Sequence, residues 1–477
     1  VRAVSPDAIL KRLETRLKLL TGGARELPER QQTLRAAIDW SYDLLSEDER
    51  TLFRRLAVFV GGWTIDAAEA VCDPAGELSV DVLDGLTSLV DKSLVRPGRQ
   101  IEGEPRFWML QTIREYAGEQ LEQSGELHEV RRRHAEHFLA LAEEASKVVF
   151  GGEQAEWWKR LDADHDNERE ALAWGVANER EIELRLVNAL WYFWSVRGHL
   201  NEGRRWLEGA IAASDPSHEA LRAKAAAAAG AAAYRQGDYE RARALADATL
   251  KLNRDLGDER ETARSLGELG NIAVALGEYE EALSKYAESC ELFRKLDEPG
   301  RMAQVLANMG AVANMRGDYD EGRRLGGEAL ALQRESGNVE AATVSLHNLA
   351  RIDLGTGRLA AAADLLHQSL DAARPLEYRE IIAYCLEACG ELAAALQDHD
   401  RAARFLGSSD ALFAELGVPM SADDAESSER TARALEEELG AKRFEAELAA
   451  GRAAAVADMV ADALQFTAAA RRELPAE

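Results

Sequence analysis

Most of the chain places apolar residues at helical spacing, without the every-other-residue alternation of half-exposed strands. In its second half this pattern is periodic at about 40 residues. Gly237-Asp238-Tyr239, Gly277-Glu278-Tyr279, Gly317-Asp318-Tyr319 and Gly357-Arg358-Leu359 mark the period, with Gly198-His199-Leu200 before them and Asp398-His399-Asp400 after. A small residue stands at one matched position ahead of each turn: Gly230, Gly270, Gly310, Ala350 and Gly390. Leu266, Leu306, Leu346 and Leu386 precede the last four of these by one helical turn, and Ala242, Ala282, Gly322, Ala362 and Ala402 open the helix that follows. Two antiparallel helices approach closely only where small residues face each other, and glycine supplies the left-handed end of the first helix. One such hairpin cannot bury its own apolar face, so neighbours must stack. The pattern predicts a mainly α protein built on an α-solenoid.

This grammar resembles the tetratricopeptide repeat, in the longer form found in kinesin light chains and bacterial regulators. The resemblance implies a right-handed superhelix of helical hairpins whose first helices line a concave groove. Asn308 and Asn348 occupy equivalent positions two residues before the small residue, Asn271 and Arg351 follow it directly, and Arg264 lies further back on its helix. These five are the candidate groove residues. An asparagine offers donor and acceptor to a peptide backbone, and an arginine can clamp a carboxylate. The alternative role for the asparagines is structural, against the next repeat. Upstream, the aromatic run Trp191-Tyr192-Phe193-Trp194 and Trp206 read as another hairpin, with its rings in a core.

The first 145 residues follow a different pattern. Residues 33–45, 47–59, 64–72 and 80–91 read as short amphipathic helices, Ser46 and Glu49 as a capping box, and 93–96 and 106–110 as two strands around a glycine-containing turn. Helices followed by a ribbon make a winged-helix arrangement. The helix that would read DNA carries Asp81, Asp84 and Asp91, with Lys92 at its end, so phosphate repulsion favours docking on protein over DNA contact. Arg131-Arg132-Arg133-His134 is a dense basic run, expected as a solvated helix face, with a phosphate or acidic-partner contact as the alternative.

Several stretches together are similar to bacterial STAND regulators related to NB-ARC ATPases, nearest to actinobacterial regulators of the AfsR or LuxR-like type. They include Leu19-Leu20-Thr21-Gly22-Gly23, Thr33-Leu34-Arg35-Ala36-Ala37-Ile38-Asp39-Trp40, Leu89-Val90-Asp91-Lys92-Ser93-Leu94-Val95 and Met109-Leu110-Gln111-Thr112-Ile113-Arg114-Glu115-Tyr116-Ala117. The resemblance implies a nucleotide-binding domain, a winged helix that docks on it, and a repeat sensor arm. No G-x-x-x-x-G-K-[ST] loop occurs, so ATP or ADP is expected in a missing upstream domain and no cofactor in this chain. The chain begins at Val1 in mid-pattern and reads as a piece of something longer. In NB-ARC relatives a Met-His-Asp motif places a histidine on the nucleotide. Met109, Leu110 and Gln111 stand at the matching place, with Arg114 beside them, and leucine cannot make that hydrogen bond. The implied division is residues 1–30 as the tail of the nucleotide-binding domain, 31–125 winged helix, 126–196 helical linker and first hairpin, 197–418 repeats, and 419–477 a helical cap.

Charge narrows the functions. The formal net charge is −27, which opposes broad nucleic-acid binding, so DNA is expected only indirectly or through a missing module. Four cysteines without zinc spacing fit a reducing compartment, with Cys385 and Cys389 as small buried residues. The longest apolar run, 225–233, falls far short of the ~20 residues that span a bilayer, so no membrane role and a cytoplasmic location are expected. His134 and His137 lack a third ligand at zinc-like spacing, no acid–base or nucleophile constellation stands out, and no metal or catalytic residue is assigned. The reading is the regulatory and sensor arm of a nucleotide-switched regulator, taking a protein, peptide or small effector in its groove. The alternatives are a stand-alone repeat scaffold and a DNA-binding winged-helix regulator.

Overall fold

The computed structural model describes residues 34–101, 103–147, 154–213, 218–376, 378–416, 420 and 422–474. The expected nucleotide-domain tail, 1–30, lies outside them. Two units meet in sequence between Leu252 and Asn253.

The first unit opens with α1 (Leu34–Asp43) and α2 (Glu47–Arg55). The Ser46–Glu49 capping box forms as expected: Ser46 Oγ accepts from Glu49 N at 3.3 Å, and Ser46 N donates to Glu49 Oε2 at 2.8 Å. Glu49 also takes Lys92 Nζ at 2.7 Å and the Ser88 hydroxyl. Burial works against its charge, but Lys92, Ser88 and the Ser46 amide outweigh it and hold the carboxyl down to about 2. Ser46→Ala removes one half of the box, and a loss of about 1 kcal/mol is expected in urea unfolding of the first unit.

The second helix is shorter than its apolar pattern implied. It gives way to a 3-10 turn at Leu56–Val58, because Gly61 and Gly62 follow with φ of 82° and 119°. A Cβ on Gly62 would lie 2.8 Å from Phe107 O. That close approach lets a strand form that the residue pattern did not reveal. This is β1 (Trp63–Thr64), which pairs antiparallel with β3 (Arg106–Trp108), which in turn pairs with β2 (Arg96–Pro97), giving the order β1-β3-β2. Helices α3 (Ile65–Cys72) and α4 (Val82–Asp91) stand between, and α5 (Gln111–Ser124) follows. The strand expected over 93–96 starts only at Arg96, since Ser93 is left-handed (φ 61°) and Leu94 N still bonds back to Leu89 O.

Helices α6 (Leu127–Lys147), α7 (Gln154–Asn178), α8 (Arg180–Val196), α9 (Leu200–Ala212) and α10 (Glu219–Arg235) continue the unit. Helix α11 (Tyr239–Asp255) crosses its boundary. Helix α7 is fastened to the winged helix by buried polar bonds. Arg106 on β3 donates to both oxygens of Asp164, at 2.5 and 3.2 Å. Asn167, fully buried, accepts from Val60 N at 2.6 Å and donates to Gly62 O at 2.8 Å. Phe193 and Trp194 are buried, as core packing predicted, with Trp191 and Tyr192 packed partly against that core.

The second unit is a row of helical hairpins: α12 (Glu259–Ala275) with α13 (Tyr279–Lys295), α14 (Pro299–Met315) with α15 (Tyr319–Glu335), α16 (Val339–Gly355) with α17 (Leu359–Ala373), and α18 (Arg379–Ala395) with α19 (His399–Leu416). The small-residue positions are where partners touch. A Cβ on Gly270 would lie 2.6 Å from Tyr286 Cδ1, and one on Gly310 3.1 Å from Gly322 O. In three of these four hairpins a buried serine on the second helix ties it to the first. Ser289 donates to Ala263 O, Ser369 to Thr343 O and Ser409 to Ala383 O, at 2.7 to 2.9 Å. Then come α20 (Ala422–Leu439), α21 (Ala441–Ala453), packed on α19, and α22 (Val456–Glu473), packed on α17. No single helix among the described residues is long and apolar enough to cross a membrane.

Candidate binding face of the repeats

The first helices α12, α14, α16 and α18 repeat every 40 residues, so residues at matched positions on them stand side by side. Arg264 pairs within its own helix, with Glu261 at 3.3 Å and Glu268 at 3.5 Å. Asn271 Oδ1 accepts from the Tyr286 hydroxyl at 2.6 Å and from Asn308 Nδ2 at 3.2 Å. Asn271 and Asn308 thus join adjacent repeats through their amides. Asn348 is exposed, and its Oδ1 lies 3.3 Å from Nδ1 of the buried His347.

Arg351 is different. Its side chain is only 16% exposed and meets three carboxylates: Glu391 at 2.6 Å, Asp424 at 3.0 Å and Glu387 at 3.3 Å. Glu387 is fully buried, which pushes its carboxyl well above the usual range against the pull of Arg351. Burial likewise pushes the neighbouring His347 down to about 4, and its Nε2 has no hydrogen-bond partner among the described residues. Asp424 comes from α20, and Ser427, on the same helix, donates its hydroxyl to Glu391. The end of the face formed by α16 and α18 therefore already holds a helix of this chain. Of the five residues singled out from the sequence, the structure links Asn271 with Asn308, and gives Arg264, Asn348 and Arg351 separate neighbours.

Sequence reasoning missed Glu387, Glu391, Asp424 and Ser427. A signal for two of them existed: Glu391 stands forty residues after Arg351, and Glu387 forty after His347. The partners on α20 follow no repeat and left no such mark.

In the winged helix, Met109 is buried, Leu110 is half-buried at the start of α5, and Gln111 is exposed. Arg114 donates to Gln111 Oε1 at 3.0 Å and to Phe59 O at 3.4 Å. It also lines a cavity of about 350 Å³ with Arg131, Glu170 and Trp174. Lys92, at the end of α4, is held by Glu49, and Asp81 caps its own helix through Leu83 N at 2.9 Å. Arg132 and Arg133 pair with Glu129, each at 3.0 Å, while His134 turns inward, so the basic run is largely neutralised and its histidine is not on the solvated face.

Residues 45–122 match a winged helix-turn-helix domain family, and 200–295 and 301–375 match a tetratricopeptide repeat family. Over 212 residues the chain is 42% identical to a candidate HTH-type transcriptional regulator of Mycobacterium tuberculosis, covering 44% of this chain and 24% of that one. The chain thus spans about a quarter of the length of that relative. Among solved structures, a STAND protein with a tetratricopeptide repeat sensor from Pyrococcus horikoshii aligns over 98% of this chain and 72% of its own, at TM-score 0.45 and 17% identity. Aspartyl phosphate phosphatase F from Bacillus subtilis aligns over 61% and 76%, at TM-score 0.45 and 14% identity. The chain carries a winged helix followed by tetratricopeptide repeats.

Proposed function

We propose that this chain is the regulatory and sensor arm of a nucleotide-switched transcriptional or signalling regulator of the STAND kind. In this reading ATP or ADP is held by an upstream nucleotide-binding domain, and this chain catalyses no reaction of its own. The winged helix docks on that domain through the surface around Met109, Leu110, Gln111 and Arg114. Leu110 cannot donate a hydrogen bond, so Arg114, with five N–H donors, is the group suited to a phosphate or carboxylate there.

The repeats hold a protein or peptide on the face of their first helices. The observation that supports this most is α20 lying against Arg351 and Glu391 through Asp424 and Ser427. A face that receives an acidic helix from its own chain has the chemistry to receive an acidic segment from another. A partner that binds one arrangement of the arm better than the other shifts the balance between them. DNA is reached through another module, and the expected location is the cytoplasm.

The test supplies the nucleotide-binding domain in trans, loaded with ADP or with an ATP analogue. Protection of residues 106–114 from amide exchange and saturable binding are expected in one nucleotide state. No contact in either state overturns the proposal.

A further inference from the structure

One cluster in the first unit, away from the face formed by α12, α14, α16 and α18, centres on two neighbouring histidines. His165 lies on α7, and His199 and Glu202 stand at the start of α9. The α8–α9 turn is held tightly: His199 N bonds Trp194 O at 3.0 Å, and the Trp194 ring lies over Gly203, where a Cβ would come 2.8 Å from its Cδ2. The turn is thereby fixed beside α7. The His165 and His199 rings stack with centroids 4.4 Å apart, and one ligand atom from each of His165, His199 and Glu202 lies within 4.8 Å of the others. His165 Nε2 is 3.4 Å from Glu202 Oε2, about the edge of a tetrahedron with bonds of roughly 2.0–2.1 Å.

A second observation comes from the far side of the His165 ring. Its Nδ1 lies 3.2 Å from Oε2 of Glu168, a carboxylate 1% exposed whose Oε1 has no hydrogen-bond partner among the described residues. With Nδ1–H donated to this buried carboxylate, Nε2, which faces Glu202 Oε2, is the nitrogen that would give up its proton to an ion, the arrangement by which outer-shell carboxylates orient metal-binding histidines. The surrounding charges favour a cation. Asp162, Asp166, Glu168 and Glu202 are carboxylates facing or flanking the cluster, against the guanidiniums of Arg169 and Arg197, a local formal excess of two negative charges. Arg169 grips Glu202 through two bonds of 2.6 Å, so an ion must share Oε2 with it while Oε1 stays on Arg169 Nε.

We propose that His165, His199 and Glu202 form a binding site for a zinc-like divalent transition-metal ion, with Glu168 as its outer carboxylate. Two imidazoles and one carboxylate suit zinc, cobalt or nickel better than magnesium or calcium, and three protein ligands leave a fourth position for water. The ion would join α7 to the α8–α9 hairpin. Helix α7 carries the bonds from Asp164 and Asn167 to the winged helix, so occupancy would stiffen the frame on which that domain sits.

The test titrates cobalt(II), then zinc(II), into the whole untagged chain after chelator treatment. One cobalt per chain is expected, with the intense visible bands of a four-coordinate ion, displaced by zinc and accompanied by a higher melting temperature. His165→Gln or His199→Gln abolishes those bands, and Glu168→Gln weakens binding by about 10- to 100-fold. Zinc-induced amide-exchange protection in the unaltered chain, centred on residues 161–169 and 198–206, checks the site without any substitution. Absence of saturable binding, or protection centred instead on His128, His134 and His137, overturns the proposal.

Discussion

Replacing Gly451 by alanine is expected to loosen the C-terminal helices, although alanine is the better helix former. Gly451 on α21 and Gly407 on α19 lie where the two helices pack backbone to backbone. A Cβ on Gly451 would fall within the envelope of the Arg404 carbonyl, 2.7 Å from its carbon, and one on Gly407 would lie 3.0 Å from the Leu448 carbonyl carbon. Each obstacle is main chain, so no rotamer change relieves it and the helices must separate. Intrinsic propensity favours the change by about 1 kcal/mol, whereas overpacking costs about 1–3 kcal/mol and sometimes more. The clash here is at the severe end, so it wins. Amide exchange in α21 and α22 is expected to accelerate by about tenfold or more, a 1.4 kcal/mol effect per decade. Gly327→Ala is the control: that glycine is exposed on α15 with nothing within 4 Å of its Cβ position, and a gain of about 0.5–1 kcal/mol is expected. Equal effects at the two positions would refute the account.

Arg351→Met is expected to be the most damaging single change in the second unit. The arginine is the shared cation of Glu387, Glu391 and Asp424, and Glu387 is fully buried. Removing one partner of a buried ion pair typically costs about 3–5 kcal/mol, because the remaining charge is stranded. The pH dependence identifies the cause. The Glu387 carboxyl is already raised in the folded chain, so the folded state binds its proton more readily than the unfolded state does. Its contribution is fully present below the ordinary carboxylate value of 4.5 and is lost as pH rises through the raised folded value. Without Arg351 the folded value rises further. The stability deficit of the variant should therefore be large at pH 8 and shrink towards pH 5, measured on exchange or unfolding of α18 and α20. A deficit independent of pH would mean that the arginine acts by packing alone.

What could be read from the chain follows from how local each cause is. The hairpins were legible because their turns close over six residues: Gly277 N bonds Val274 O, Glu278 N bonds Ala273 O, and the same pair recurs at Gly317 and Gly357. The turns between hairpins obey the same rule but are marked less consistently. Gly257 and Gly337 are left-handed, but Asp297 takes that conformation without glycine, as Gln397 does within the α18–α19 hairpin. Strand β1 could not be read, since two residues carry no periodicity and pair only with Arg106 and Phe107, more than forty positions away. The same applies to chemistry. The polar positions on the first helices could be counted from the repeat, whereas the partners of Arg351 on α20, and the approach of His165 to Glu202, depend on packing between distant segments.

The near-identical turn geometry of the hairpins carries a consequence for how this array can change in length. The bonds that close the chain after α12, α14 and α16 are interchangeable, and Ser289, Ser369 and Ser409 anchor to carbonyls at the same offset. Excising or duplicating a whole forty-residue module would join equivalent ends, leaving every remaining interface with a familiar neighbour. A shift by any other number would bring a bulky side chain to a glycine contact. Growth of such a chain is therefore quantised, and recombination within it is tolerated in steps of one module.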